Sequence, residues 1–139
     1  VKQHSFNKVV EVRTIQQKQA QQQVADAVRQ RLEEEERLSQ INEHREKAAS
    51  AFRLKQKMSV AQMQTMRSHL SSLAHDIETQ KDTVTKAAEH EDTKRDALIK
   101  KSQEKKMVEV LNEKRIKSEQ KESDRKEQKT LDEFSQRLR

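Results

Sequence analysis

The sequence predicts an all-α fold, a long antiparallel two-helix coiled-coil hairpin whose second helix overhangs the first. Three observations carry this. The 139 residues contain no Gly and no Pro, and turns draw on those two residues for special backbone angles, so the chain has few places to change direction. Charged residues make up 39% and hydrophobic ones only 30%, enough apolar material to line a narrow seam but not to fill a thick core. Along two long stretches the seam positions recur at alternating strides of four and three, and many of them are apolar.

The first stride runs through Phe6, Val10, Arg13, Gln17, Ala20, Val24, Ala27, Arg31, Glu34, Leu38, Ile41, Arg45, Ala48 and Phe52. It predicts a first helix over about residues 6–56, on the order of 75 Å long at 1.5 Å per residue. The stride restarts at Met63 and continues through Met66, Leu70, Leu73, Ile77, Gln80, Val84, Ala87, Glu91, Lys94, Leu98, Lys101, Lys105 and Val108, predicting a second helix over about residues 60–137. Ser59 with Gln62 three residues later forms an S-x-x-Q capping box, so a turn at about residues 57–59 is the best break in the chain. The whole chain, residues 1–139, reads as a single elongated coiled-coil domain.

Folding back at this point sets one register for every seam position. Phe52 faces Met66, Ala48 faces Leu70, Ile41 faces Ile77, Ala20 faces Leu98 and Val10 faces Val108. Apolar layers gather near the tip. In the middle, Leu38 meets Gln80, Glu34 meets Val84, Arg31 meets Ala87 and Ala27 meets Glu91, which predicts a soft stretch with faster amide exchange than at the tip. Arg13 opposite Lys105 and Gln17 opposite Lys101 read as unfavourable layers. Helix 1 is exhausted at Phe6, facing about Asn112, so the rest of the chain overhangs. Between Lys114 and Lys129 the only large apolar residue is Ile116, which fits a solvated helix or disorder. Leu131, Phe134 and Leu138 then form one apolar stripe, read as a docking face.

Composition also bounds function. The net charge of +6 favours phosphate contact, but 24 acidic residues are interleaved with the 30 basic ones and no finger spacing or aromatic-rich basic stretch appears, so no nucleic-acid partner is expected. The lack of Cys fits a reducing cytoplasm. No apolar run approaches the roughly 20 residues of a membrane span, so a soluble, cytoplasmic protein is expected. The histidines His4, His44, His69, His75 and His90 show no zinc-site spacing, and Glu33–Glu36 fan around a helix as a solvated face. Met63 and Met66 read as seam packing. With no Gly-rich phosphate loop, no thiolate and no room for a pocket, neither an enzyme nor a cofactor or metal site is expected.

Three stretches resemble the flagellar FliJ family of the type III flagellar export apparatus. SFNKVVEVR (Ser5 to Arg13) is similar to the F-x-x-V-L-x-h-R opening. MSVAQM (Met58 to Met63) followed by LSSLAHDI (Leu70 to Ile77) is similar to the start of the second helix in some members, and KEQKTLDEFSQR (Lys126 to Arg137) to the family's K-x-M/L-D-E-h end. The resemblance implies a stalk-like component that binds the hexameric export ATPase and the cytoplasmic domain of the export gate, helps escort export chaperones, and is held peripherally at the inner-membrane export apparatus through its partners. It implies an ATPase-ring contact at Phe6, Val9, Arg13, Leu111 and Arg115 together with the overhang. By family position, the gate contact falls on Arg37, Ile41, His44, Ala48, His69, Leu73, Asp76 and Gln80. Ile41, Ala48 and Leu73 also satisfy the seam, for which packing is the simpler account, and the aromatic residues prominent in this patch of some members are missing here. Arg37, His44 and Asp76 are the stronger candidates. A stalk protein of a virulence type III secretion system has the same shape, and a basic structural or nucleic-acid-associated coiled coil is the competing class; the LDEFSQR ending favours the flagellar branch.

Overall fold

The computed structural model describes residues 2–139, with side chains from Ser5 onward, and the described residues form two helices, α1 (Lys2–Leu54) and α2 (Val60–Arg137). The capping box forms as its spacing dictates. The Gln62 amide donates to Ser59 Oγ and the Ser59 amide donates to Gln62 Oε1, both at 3.1 Å, while the Met63 amide reaches the Ser59 carbonyl at 3.0 Å to start the α2 ladder. The two side-chain bonds satisfy amides that a helix N-terminus leaves without a partner. Among the described residues none has positive φ, so residues 55–59 reverse the chain without the left-handed conformation that would call for glycine.

The helices pack antiparallel in two compact units, Ala20–Leu98 and Val1–Gln19 with Ile99–Arg139. In the first unit the buried side chains are Ala20, Val24, Ala27, Leu73, Ile77 and Glu91, and every one lies on the expected stride. Arg45 is on the stride but exposed, since its long side chain lets the charge stay in water. Met63 is 42% exposed and lies beyond the seam, against the packing role expected of it. Its register partner would fall in the loop, where no helix remains to cover it.

The expected contrast between a well-packed tip and an open middle is not seen in burial: Leu38, Gln80, Glu34, Val84, Arg31 and Ala87 in the middle are half-buried, as the tip layers are, and only the Ala27–Glu91 layer is buried. Phe52, Met66, Ala48 and Leu70 are only half-buried, because the last layers of a two-helix seam have no further layer to close them. The one middle layer that is closed combines a small side chain with a hydrogen-bonded carboxylate, and the layers beside it satisfy their polar groups with hydrogen bonds. Ala27 is 2% exposed and Glu91 6%. The Glu91 carboxylate accepts from Arg31 Nε across the seam and from Arg95 Nε and Nη2 on its own helix at 3.1 and 2.8 Å. Arg31 also donates to Glu35 Oε1 at 2.8 Å. Gln80 Nε2 caps both the backbone carbonyl and the Oε2 of Glu34 at 3.0 and 2.6 Å. A buried polar layer is costly when left unsatisfied and tolerable when every group has a partner.

The second unit corrects the expectation of clashing layers in the same way. Arg13 Nη1 donates to Glu104 Oε2 at 2.8 Å, Gln17 Nε2 to Ser102 Oγ at 3.0 Å and Lys105 Nζ to Gln17 Oε1 at 3.1 Å. The relief comes from neighbours one place off the seam, Glu104 and Ser102. α2 then continues as helix to Arg137, settling the segment after Lys114 as helical, with every side chain from Ile116 onward exposed. Local pairs support it: Arg115 with Glu119 at 2.9 Å, Gln120 with Asp124 at 3.1 Å and Gln128 with Asp132 at 3.2 Å, each one helical turn apart.

Two measurements check this packing. Amide exchange should be slower around Ala27, Ile77 and Glu91 than around Phe52 and Met66, since the former sit under covered seam and the latter do not. The second concerns pH. Hydrogen bonds from Arg95 and then Arg31 hold the Glu91 carboxyl below its ordinary value of 4.5, against the upward push of burial. Above 4.5 the carboxylate is ionised in folded and unfolded chains alike and its full contribution is present; below 4.5 the unfolded chain takes up the proton first, and that contribution is lost as pH falls through the folded value. The melting temperature should therefore drop below pH 4.5, and Glu91→Gln should flatten that drop relative to the parent. Identical pH profiles would remove Glu91 from the account.

Candidate functional site

What the seam leaves outside falls into three surfaces, one in the Ala20–Leu98 unit and two in the other. On the first, Arg37 and His44 are seven residues apart on α1, and His69 and Asp76 are seven apart on α2, so each pair occupies one heptad position of its helix. The imidazoles of His44 and His69 meet across the helices, ring centroids 5.6 Å apart and planes at 87°. That contact puts all four residues on a single flank of the unit, where each is exposed. Arg37 is held by Glu34 at 2.8 Å. The other four residues of the expected gate patch point elsewhere: Leu73 is buried, Ile41 and Ala48 are half-buried on the seam, and Gln80 is occupied with Glu34.

In the other unit, the Arg115 guanidinium lies over the Phe6 ring, 4.9 Å from its centroid, an arrangement in which the ring's negative face attracts the cation. Asn112 and Glu119 fix the same guanidinium at 3.0 and 2.9 Å. Arg13 is held by Glu104. Leu111 shares a heptad position with Glu104 and stands one turn before Arg115, so Leu111 flanks these two clusters; it is 51% exposed, and Val9, one turn before Arg13, is 42% exposed. Of the five expected ring-contact residues, Phe6, Arg13 and Arg115 are thus partly committed within the unit, and Val9 and Leu111 carry the open apolar area. The third surface is the stripe of Leu131, Phe134 and Leu138, which are 62%, 61% and 74% exposed.

The Glu33–Glu36 run disperses as a helix requires. Glu34 turns to the seam, Glu35 to Arg31 and Glu36 to Gln40. His75 and His90 are exposed, and the side chain of His4 lies outside the described residues. Among the described residues no three His, Cys, Asp or Glu side chains gather as a metal site, and no helix is long and apolar enough to cross a membrane. An open groove runs along α1 beside Ala25, Val28, Leu32 and Arg37. Sequence reasoning missed two cross-helix features, the Glu91 cluster and the His44–His69 pair. Arg95 four residues after Glu91 was a usable signal for the first; the second has none short of placing both helices.

No curated protein and no solved structure matches the chain. The family model described as Flagellar FliJ protein matches residues 2–139, and with its two antiparallel helices and its capping-box turn the chain belongs to the FliJ family of flagellar, type III export-associated coiled-coil proteins.

Proposed function

We propose that this protein is a stalk and escort of the flagellar export apparatus: it binds the hexameric export ATPase through its open end and the cytoplasmic domain of the export gate through the flank near its tip. The observation that carries the reading is the family match along residues 2–139. The geometry supports it by leaving the relevant side chains free of the seam. Val9 and Leu111 offer apolar area beside the Arg115–Phe6 cluster, and two helices side by side, each roughly 10–12 Å across, suit the lumen of a ring. Arg37, His44, His69 and Asp76 offer a polar, mixed-charge flank, the sort of surface that transient partners use. On this reading the protein acts by contact rather than catalysis, handles export chaperones on the way to the gate, and stays at the membrane through its partners.

The gate contact narrows to Arg37, His44, His69 and Asp76, with Ile41, Ala48, Leu73 and Gln80 acting through packing. The test is to mix the purified chain with its cognate export ATPase and follow ring assembly and ATP hydrolysis, both of which should rise. No change in either at low and physiological salt overturns the ring contact. Binding to the gate domain should weaken in Arg37→Ala and Asp76→Ala with the melting temperature unchanged, whereas Leu73→Ala should cost about 2–5 kcal/mol of stability as a large-to-small change in the seam.

The stripe of Leu131, Phe134 and Leu138 is assigned to a partner as well. Phe134→Ser with Leu138→Ser should weaken ATPase or chaperone binding while leaving helicity and melting within about 0.5 kcal/mol of the parent, as for surface positions without packing partners. A large loss of helicity would instead assign the stripe to packing.

A further inference from the structure

The His44–His69 pair is the one place among the described residues where two imidazoles from different helices are held together, and the gate contact proposed for their flank gives no reason for the two rings to meet. From the geometry we propose that these two imidazoles form a bidentate site for a divalent transition-metal ion of the zinc, nickel or copper class, clipping α1 to α2 near the turn. Two Zn–N bonds of roughly 2.0–2.1 Å at a tetrahedral ion put two imidazole centroids about 5.2 Å apart, and the rings here stand 5.6 Å apart, close enough for a small side-chain adjustment to bring both onto one ion. The present edge-to-face arrangement needs one ring to turn about its χ2 bond. Both side chains are exposed, so an ion reaches the site from water.

Imidazole is the donor such ions prefer, whereas magnesium and calcium take oxygen ligands. With no third His, Cys, Asp or Glu gathered there, water fills the remaining positions, so the ion exchanges readily, unlike the ion of a closed four-ligand structural site. The clip acts beside layers that packing closes incompletely: Ala48, Phe52, Met66 and Leu70 are half-buried. An ion bound only when both helices are in place stabilises the folded form by mass action. Because only neutral imidazole binds a metal, uptake weakens as pH is lowered.

The test uses the full chain, freed of any polyhistidine tag and stripped with a chelator. Zinc is titrated in while the imidazole resonances are followed by NMR, and nickel binding is measured by calorimetry. One ion per chain should bind, with the His44 and His69 signals shifting together and those of His75 and His90 staying in place. His44→Ala and His69→Ala should each weaken binding by about tenfold or more, since removing even a partner behind a ligand costs 10–100-fold, and the double substitution should abolish binding at this site. Melting temperature should rise with zinc in the parent and not in either variant, while the metal-free melts of all three agree. Shifts spread evenly over all the histidines, or a single variant that binds as tightly as the parent, overturns the site. Failure of gate binding leaves this outcome untouched, because the metal measurement contains no partner.

Discussion

A seam between two helices has a single buried side on each, and that constraint governs everything else in this protein. A helix can bury only about one residue in every three or four against one neighbour, so most of the chain stays in water whatever its identity. The composition fits this: 39% charged residues would be ruinous in a thick core and are unremarkable here. The same constraint explains why burial peaks at Ala27 and Ile77 instead of at the aromatic Phe52. Small side chains let neighbouring helices approach within the 8–10 Å range of close pairs, and a layer flanked on both sides by further layers is better covered than the layer beside the turn.

A narrow seam also changes what a buried charge means. In a thick core Glu91 would face a large desolvation penalty. Here it is 6% exposed, yet water lies within one helix thickness on either side, so its pairing with Arg31 and Arg95 is screened more than its own exposure suggests. The cluster therefore adds modestly to stability. Its larger consequence is directional: Glu91 finds Arg31 only in one register, and sliding the helices by a heptad would set the carboxylate against Arg13-side or tip-side residues of the wrong kind. Polar seam residues that fix register at some cost to stability are a general device of coiled coils, and Gln80 on Glu34 works in the same way.

The fold was legible because it depends on periodicity, which a sequence displays directly. Ser59 and Gln62 announced the turn, and the stride named the buried residues from Ala20 to Ile77 before any packing was visible. What could not be read was the partner of each polar seam residue. Opposing Arg13 to Lys105 treats the seam as single file, whereas long side chains reach one place to either side and find Glu104 or Ser102. Met63 failed for a different reason, since a stride continues on paper past the point where the opposite helix ends. The candidate surfaces were half legible: the stripe ending at Leu138 follows from spacing alone, but that Arg37, His44, His69 and Asp76 share a flank depends on which sides of two helices meet.

That flank shows how the hairpin separates stability from contact. On each helix the seam and the flank are different heptad positions, so Leu73 can be held by packing while Asp76, three residues on, is left to solvent. A substitution on the flank then changes what the surface meets without changing how the helices pair, and a substitution on the seam does the reverse. A globular protein couples the two, because a binding residue is usually supported by the core directly beneath it. In a two-helix seam the support lies along the helix axis, layer after layer, and a surface residue leans on its own helix. The exposed overhang after Arg115 takes this to its limit: every side chain from Ile116 onward is exposed, and local pairs such as Gln128 with Asp132 support it as a helix.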